Sequence, residues 1–178
     1  TQPVVTGAGG ATDSYTTSPV LAGTYALQLV ATADSNSDDS YAYFSTASTH
    51  YNLTRPANQH WVLSASFRLK NENSPDTTNN VQAYLYHNVA GSNNLNYRSG
   101  GHVDVPNDGA WHRKEWALDL SSNSSTQAMI RFDNDAHSGN GDVTLYIDQV
   151  QLEIKDSTNT AKPWIAPNLN SYTIDSTI

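Results

Sequence analysis

Hydrophobic and polar residues alternate with a period of two in several short segments, a pattern typical of half-buried β-strands. The clearest segment is HWVLSASFRLK (60–70). One set of alternate positions is apolar and comprises Trp61, Leu63, Ala65, Phe67 and Leu69. The opposite set comprises His60, Ser64, Ser66, Arg68 and Lys70. A helix would scatter both sets around its axis, so the pattern predicts a strand.

Similar patterns predict further strands at 24–32, 39–46, 80–88, 110–119, 126–133 and 143–153. Turn-rich loops such as NENSPDTTNN (71–80) and HSGNGD (137–142) separate the segments, and no helical pattern intervenes. This order predicts an all-β fold, an antiparallel β-sandwich or jelly roll, within residues 1–155. Residues 156–178 have little periodicity and are predicted to form an extended C-terminal tail or linker.

Composition and charge restrict the function. The chain of 178 residues has 17 acidic and 9 basic residues, a net charge of -8, and no basic stripe that could neutralise phosphates. No apolar stretch approaches the roughly 18 residues needed to span a bilayer. We therefore expect neither nucleic-acid binding nor membrane insertion. The absence of cysteine excludes disulfides and thiolate metal sites.

The sequence offers no convincing catalytic constellation. A glycosidase needs two carboxylates across a cleft, and strand parity places no convincing pair together among Asp133, Asp135, Glu115 and Asp142. The histidines lack metal-ligand spacing, and there is no Gly-x-Ser-x-Gly motif. We therefore predict a non-enzyme. A polysaccharide lyase or glycosidase on the same scaffold stays open as an alternative, because Tyr, His and Arg are all present.

Sugar binding combines aromatic rings, which pack on C–H faces, with polar groups that meet hydroxyls. Gln82, Tyr84 and Tyr86 share one face of a predicted strand, and Arg131 and Asp133 share one face of another. These five residues would converge on a groove if both strands lie in one sheet, and they are the first candidate carbohydrate site. The alternative is ordinary cross-strand tyrosine pairing on a solvated sheet.

Tyr97 and Arg98 form a second candidate sugar-binding pair, in or beside a short strand, with His102 and Asp104 following. The alternative is an edge strand with solvated charges. Tyr41 and Tyr43 alternate as well, and their direction is ambiguous between groove and core. The tryptophans Trp61, Trp111 and Trp116 are predicted to be core residues, with a position at the rim as the alternative for Trp111, which follows a turn.

Four pieces of the sequence resemble carbohydrate-binding modules of the jelly-roll type, and they occur in that family's order. They are LAGTYALQL (21–29), WVLSASFRLK (61–70), DGAWHRKEWAL (108–118) and LYIDQVQLE (145–153). The continuation QLEIKDSTNTAKPWIAP (151–167) resembles the ending of modules attached to phage distal tail and baseplate proteins. The family resemblance implies binding of cell-wall or cell-surface polysaccharide, a larger parent tail protein, and an extracellular or virion-tail location.

The resemblance also implies that Asp148, in the Tyr-Ile-Asp piece, ligates a structural calcium ion. The short acidic motif that helps to hold this ion in many family members has no clear copy before Tyr15. Hydrogen bonding of Asp148 to backbone amides, or simple solvent exposure, is the alternative. A second functional hypothesis is a structural assembly module of a phage baseplate, which requires an exposed apolar patch instead of a ligand groove.

Overall fold

The computed structural model describes residues 4–8, 12–31, 40–45, 51–57, 59–70, 78–88, 97–118, 124–134 and 143–155. These ranges contain strands and no helix. The strands are β1 (Val4–Ala8), β2 (Thr12–Thr16), β3 (Ala26–Ala31), β4 (Ser40–Ser45), β5 (Tyr51–Arg55), β6 (His60–Lys70), β7 (Thr78–His87), β8 (Tyr97–Pro106), β9 (Trp111–Leu118), β10 (Ser125–Asn134) and β11 (Val143–Lys155). None of the described residues forms a helix that is long and apolar enough to cross a membrane.

The strands form two antiparallel sheets. Sheet A has the order β1-β4-β10-β7-β8, with β5 pairing with the first part of β10. Sheet B has the order β2-β3-β11-β6-β9. Apart from the consecutive pairs β2–β3 and β7–β8, strand neighbours in both sheets are separated along the chain by other strands, as in sandwiches whose chain crosses between layers. The predicted all-β antiparallel sandwich is confirmed.

The core lies between the sheets and is made by alternate residues of each strand. The Phe67 ring of sheet B contacts the Trp116 ring of the same sheet and the Phe132 ring of sheet A, with both centroid distances 5.5 Å and edge-on geometry. Edge-to-face packing of this kind adds about 0.5–1.5 kcal/mol per pair beyond the area that is buried. Trp61 and Trp116 are buried, so their predicted core positions are confirmed.

A β-bulge in β11 restores the inward alternation of that strand. Asp148 pairs with Ser66 and Gln151 pairs with Ser64, so two residues of β11 lie opposite one residue of β6. Gln149, the first of these two residues, has a φ of 54°, in the left-handed region. The bulge allows both Ile147 before it and Leu152 after it to face the core.

Two basic side chains are buried at one end of the sandwich. Arg55 donates hydrogen bonds from Nη1 to the carbonyls of Pro56 (3.0 Å) and Gln59 (2.7 Å). Burial lowers the pKa of His87, its contact with the Asn88 carbonyl opposes this shift, and the nearby Arg55 guanidinium lowers the pKa further. His87 is therefore held in its neutral form at neutral pH.

The structure differs from the sequence prediction at several polar strands. Strands β1, β2 and β5 carry no clear alternation and were not predicted, and β7 begins at Thr78, inside the predicted loop 71–80. The expected short strand near Tyr97 is a strand of 10 residues. The alternative rim position is the correct one for Trp111, because its side chain is only partly buried. Residues 156–178, the predicted tail, lie outside the described residues.

Candidate functional site

Strands β7 and β10 are direct neighbours, which is the condition for the predicted groove. Arg131 pairs with Tyr84, and Asp133 pairs with Gln82. Residues paired across antiparallel strands share a face of the sheet. That face is the outer one, since the alternate residues Ala83 and Phe132 are buried in the core. The structure therefore brings Gln82, Tyr84, Tyr86, Arg131 and Asp133 to one face, which we call the outer face of sheet A.

The rings and the guanidinium on this face are in contact. The Tyr84 and Tyr86 rings have a centroid distance of 6.5 Å and an interplanar angle of 63°. Arg131 donates a hydrogen bond from Nη1 to the Tyr86 hydroxyl over 3.4 Å. All three side chains are partly exposed. The arrangement places two ring systems and a charged donor where a ligand that lies on the sheet can reach them.

Strand β4 extends the face on the other side of β10. Tyr43 pairs with Arg131, and Tyr41 pairs with Asp133. Phe44 pairs instead with the buried Ile130. This register places Tyr41 and Tyr43 at positions of the outer face. Arg131 thus lies between tyrosine positions on both neighbouring strands.

The second candidate pair is divided between the two faces of β8. Arg98 pairs with Tyr86 and joins the outer face, whereas Tyr97 pairs with the buried His87 and takes an inward position. The structure therefore does not bring Tyr97 and Arg98 together as one site. His102 and Asp104 are exposed and lie on the same face as Arg98. Consecutive residues of a strand occupy opposite faces. Because β8 begins at Tyr97, both residues belong to the strand and are divided in this way.

Asp148 is nearly buried, and its carboxylate accepts backbone hydrogen bonds. Oδ2 accepts from the N–H groups of Leu21 (2.9 Å) and Ala22 (3.0 Å), and Oδ1 accepts from the N–H of Gln149 (2.6 Å). These contacts tie the loop after β2 to the bulge of β11. They also offset the cost of burying the carboxylate.

Calcium requires six to eight oxygen ligands. Around Asp148 the described partners are N–H donors, which repel a cation. Among the described residues, no group of three or more His, Asp or Glu side chains could hold a metal ion. The described surroundings of Asp148 do not fit a calcium site, and no step of the proposed function depends on a metal.

Comparisons with known proteins place the fold. No protein-family model and no curated protein matches the chain. The xylan-binding CBM22-1 domain of Xyn10C from Paenibacillus barcinonensis is similar, with a TM-score of 0.56 and 10% identity over 86% of this chain and 87% of that one. A CBM4 structure has a TM-score of 0.51 and 15% identity over 85% of this chain and 94% of that one.

A phage protein shares the fold over a smaller part of its own length. The enzymatically active domain of tailspike protein 4 from bacteriophage CBA120 has a TM-score of 0.53 and 13% identity, over 85% of this chain and 19% of that one. At such identities the likeness shows the fold alone. The chain has the jelly-roll β-sandwich architecture of carbohydrate-binding modules.

Proposed function

We propose that the chain is a non-catalytic carbohydrate-binding module whose sugar site is the outer face of sheet A. The observation that carries this proposal is the register of Arg131. It pairs with Tyr84 of β7 on one side and with Tyr43 of β4 on the other, so an arginine lies between aromatic positions on its two neighbouring strands. Strands are about 4.8 Å apart, so the tyrosine positions are about 10 Å apart across the sheet.

Tyr43, Arg131 and Tyr84 form a row across three adjacent strands. The chemistry of this row suits an extended glycan. Tyrosine rings pack against the C–H faces of sugars, and a guanidinium presents several N–H donors to hydroxyl oxygens. Gln82 and Asp133 pair in the next row and add an amide and a carboxylate at positions beside the rings. The net charge of -8 favours neutral or basic glycans over strongly anionic ones.

The solved structures support the ligand class. The CBM22-1 domain with the same fold is described as xylan-binding. We further infer that the ligand is host cell-wall polysaccharide and that the parent protein is a phage tail or surface adhesin, outside the cell. The Gln-Leu-Glu and Pro-Trp pieces of 151–167 and the tailspike match support this setting. Several copies on one tail would raise the apparent affinity above that of a single weak site, by avidity.

The test is binding of a fluorescently tagged chain to intact Gram-positive cells, with free sugars and extracted wall polysaccharide as competitors. Three proteins are compared: the wild type, Tyr84→Ala/Tyr86→Ala, and Tyr25→Ala. Tyr25 is a matched control because it is 50% exposed and lies just before β3, in the other sheet. Circular dichroism and thermal unfolding confirm that each variant is folded.

We expect wall polysaccharide to displace the wild type, the double variant to lose at least tenfold in affinity, and Tyr25→Ala to bind normally. Unaltered binding by a folded double variant would refute the proposed face. No binding to any cell or glycan would instead favour the baseplate assembly hypothesis. Release of reducing ends or unsaturated sugars would contradict the non-catalytic assignment and favour a glycosidase or lyase.

A further inference from the structure

A second row of aromatic and polar residues lies on the outer face of sheet B, on the opposite side of the sandwich. Trp111 of β9 pairs with Arg68 of β6, Arg68 pairs with Tyr146 of β11, and Tyr146 pairs with Gln28 of β3. The row is outward because Phe67 and Leu69, on either side of Arg68, are buried in the core. All four side chains of the row are partly exposed.

Arg68 is fixed in this row by two contacts. Its Nε donates a hydrogen bond to the Gly109 carbonyl at 2.5 Å, and its guanidinium carbon lies 5.7 Å from the centroid of the Tyr146 ring. In the part of the chain that the structure describes, no carboxylate lies within ion-pair distance of Arg68. The terminal nitrogens therefore keep donors for an external acceptor.

The turn before β9 positions Trp111 beside Arg68. Asp108 accepts a hydrogen bond from the Ala110 N–H at 2.8 Å, and Gly109 has a φ of 72°. The Gly109 N–H donates to the Leu69 carbonyl at 3.1 Å. The same turn thus binds the β6 backbone and the Arg68 side chain, and it starts β9 so that Trp111 faces outward.

We propose that Trp111, Arg68, Tyr146 and Gln28 form a second carbohydrate-binding row, which takes an uncharged polysaccharide chain that runs across the strands. The row repeats the order found on sheet A: an aromatic position, an arginine and an aromatic position on three adjacent strands. The ligand class rests on the proposed function, and the location is independent of it. One copy of the chain would then hold two polysaccharide strands, one on each face.

The proposal is tested by a bridging assay. Wall polysaccharide from a strain that the chain labels, or soluble xylan, is immobilised, the chain is bound, and capture of the same polysaccharide carrying biotin is measured. Light scattering identifies fractions of monomer, which are used throughout. The variants are Tyr84→Ala/Tyr86→Ala on sheet A, Trp111→Ala/Tyr146→Ala on sheet B, and Tyr25→Ala as control.

We expect the wild type and the control to capture soluble polysaccharide, whereas each double variant binds the plate and loses capture at least tenfold. Capture by a folded sheet B variant at the wild-type level would overturn the proposal. Plate binding by the wild type without capture would also overturn it, and would leave the site on sheet A intact. No plate binding at all would remove the proposed function as well.

Tryptophan fluorescence supplies a test that leaves the sheet B row unaltered. Among the described tryptophans, Trp61 and Trp116 are buried at 1% and 7% exposure, so Trp111 is the one that a soluble quencher reaches. A Trp164→Phe background removes the remaining tryptophan. Saturating polysaccharide should reduce acrylamide quenching at least twofold, and it should do so in the Tyr84→Ala/Tyr86→Ala variant too. Unchanged quenching under saturating binding would refute the second row.

Discussion

The Arg131 guanidinium on β10 donates a hydrogen bond from Nη1 to the Tyr86 hydroxyl on β7, over 3.4 Å. This contact orients the guanidinium across the face that also carries Tyr84. The flat fork of arginine presents donors in a fixed plane, whereas a lysine ammonium is a mobile point charge. The orientation of Arg131 is therefore the feature of the sheet A face that a substitution can isolate.

Replacement of Arg131 by Lys should weaken polysaccharide binding about tenfold, or about 1.4 kcal/mol, because the charge remains and the fork is lost. Tyr86→Phe is the matched control: it keeps the ring and removes only the acceptor, and a loss of two- to fivefold is expected. Native electrophoresis in gels that contain wall polysaccharide measures both changes. Wild-type affinity in Arg131→Lys would contradict a role for the fork.

The alternation of side chains within one strand predicts which residues of that strand share a side, but not which strands lie next to each other. Because side chains alternate, Tyr84 and Tyr86 had to share a side with Gln82, as Arg131 did with Asp133. The pairing of the two strands is a separate fact, since β7 and β10 are separated along the chain by β8, which pairs with the other side of β7, and by β9, which belongs to sheet B. No local pattern in a sequence specifies which distant strands become neighbours.

The row on sheet B shows the same limit more strongly. Gln28, Arg68, Trp111 and Tyr146 come from four strands, and each one alone looks like an ordinary outward residue.

The placement of Tyr97 and Arg98 on opposite faces of β8 was missed for a different reason. The composition of β8, with consecutive glycines and polar residues, hides a strand of 10 residues, so parity could not be applied to the pair.

Asp148→Ala should lower the free energy of unfolding by about 2–3 kcal/mol, because three backbone N–H groups lose a charged acceptor. For a domain of this size the unfolding temperature should fall by about 5–10 °C. Thermal unfolding followed by circular dichroism measures the loss. Ser14→Ala, an exposed position on β2 of the same sheet, should change the temperature by less than about 2 °C.

Chelation tests the calcium prediction at Asp148 directly. The described donors at this carboxylate are N–H groups, so EDTA should leave the unfolding temperature of the wild type within about 1 °C, and added calcium should not raise it. The measurement is repeated on protein that has been dialysed against EDTA. A calcium-dependent rise that disappears in Asp148→Ala would show that calcium binds at this carboxylate.

Asn88 joins the end of β7 to the start of β10 through a buried side-chain amide. Oδ1 accepts from the N–H groups of Thr126 and Gln127, and Nδ2 donates to the Thr126 hydroxyl, all at 2.9 Å. Asn88→Ala should cost about 2–4 kcal/mol, because two partly buried backbone N–H groups lose their shared acceptor. Thr126→Val removes only the hydroxyl and should cost less than about 1.5 kcal/mol. Urea unfolding measures the loss of stability in both variants. Equal losses would contradict the larger role assigned to the Asn88 Oδ1 acceptor.

His87 should make stability depend on pH. Its pKa in the folded chain lies below the ordinary value of 6.5 because of burial, with a further contribution from Arg55. Below about pH 6.5 the unfolded chain therefore binds a proton that the folded chain does not, so the free energy of unfolding falls as the pH falls. The slope of the free energy of unfolding approaches about 1.4 kcal/mol per pH unit and levels off below the folded pKa.

Urea unfolding from pH 7.5 to 4.5 measures this slope in the wild type and in His87→Gln, which keeps a polar side chain that does not titrate. The difference between the two curves isolates His87 from the other histidines and from the carboxylates. Parallel curves would show that His87 accepts its proton equally well in the folded and unfolded chain, and would contradict its burial beside Arg55.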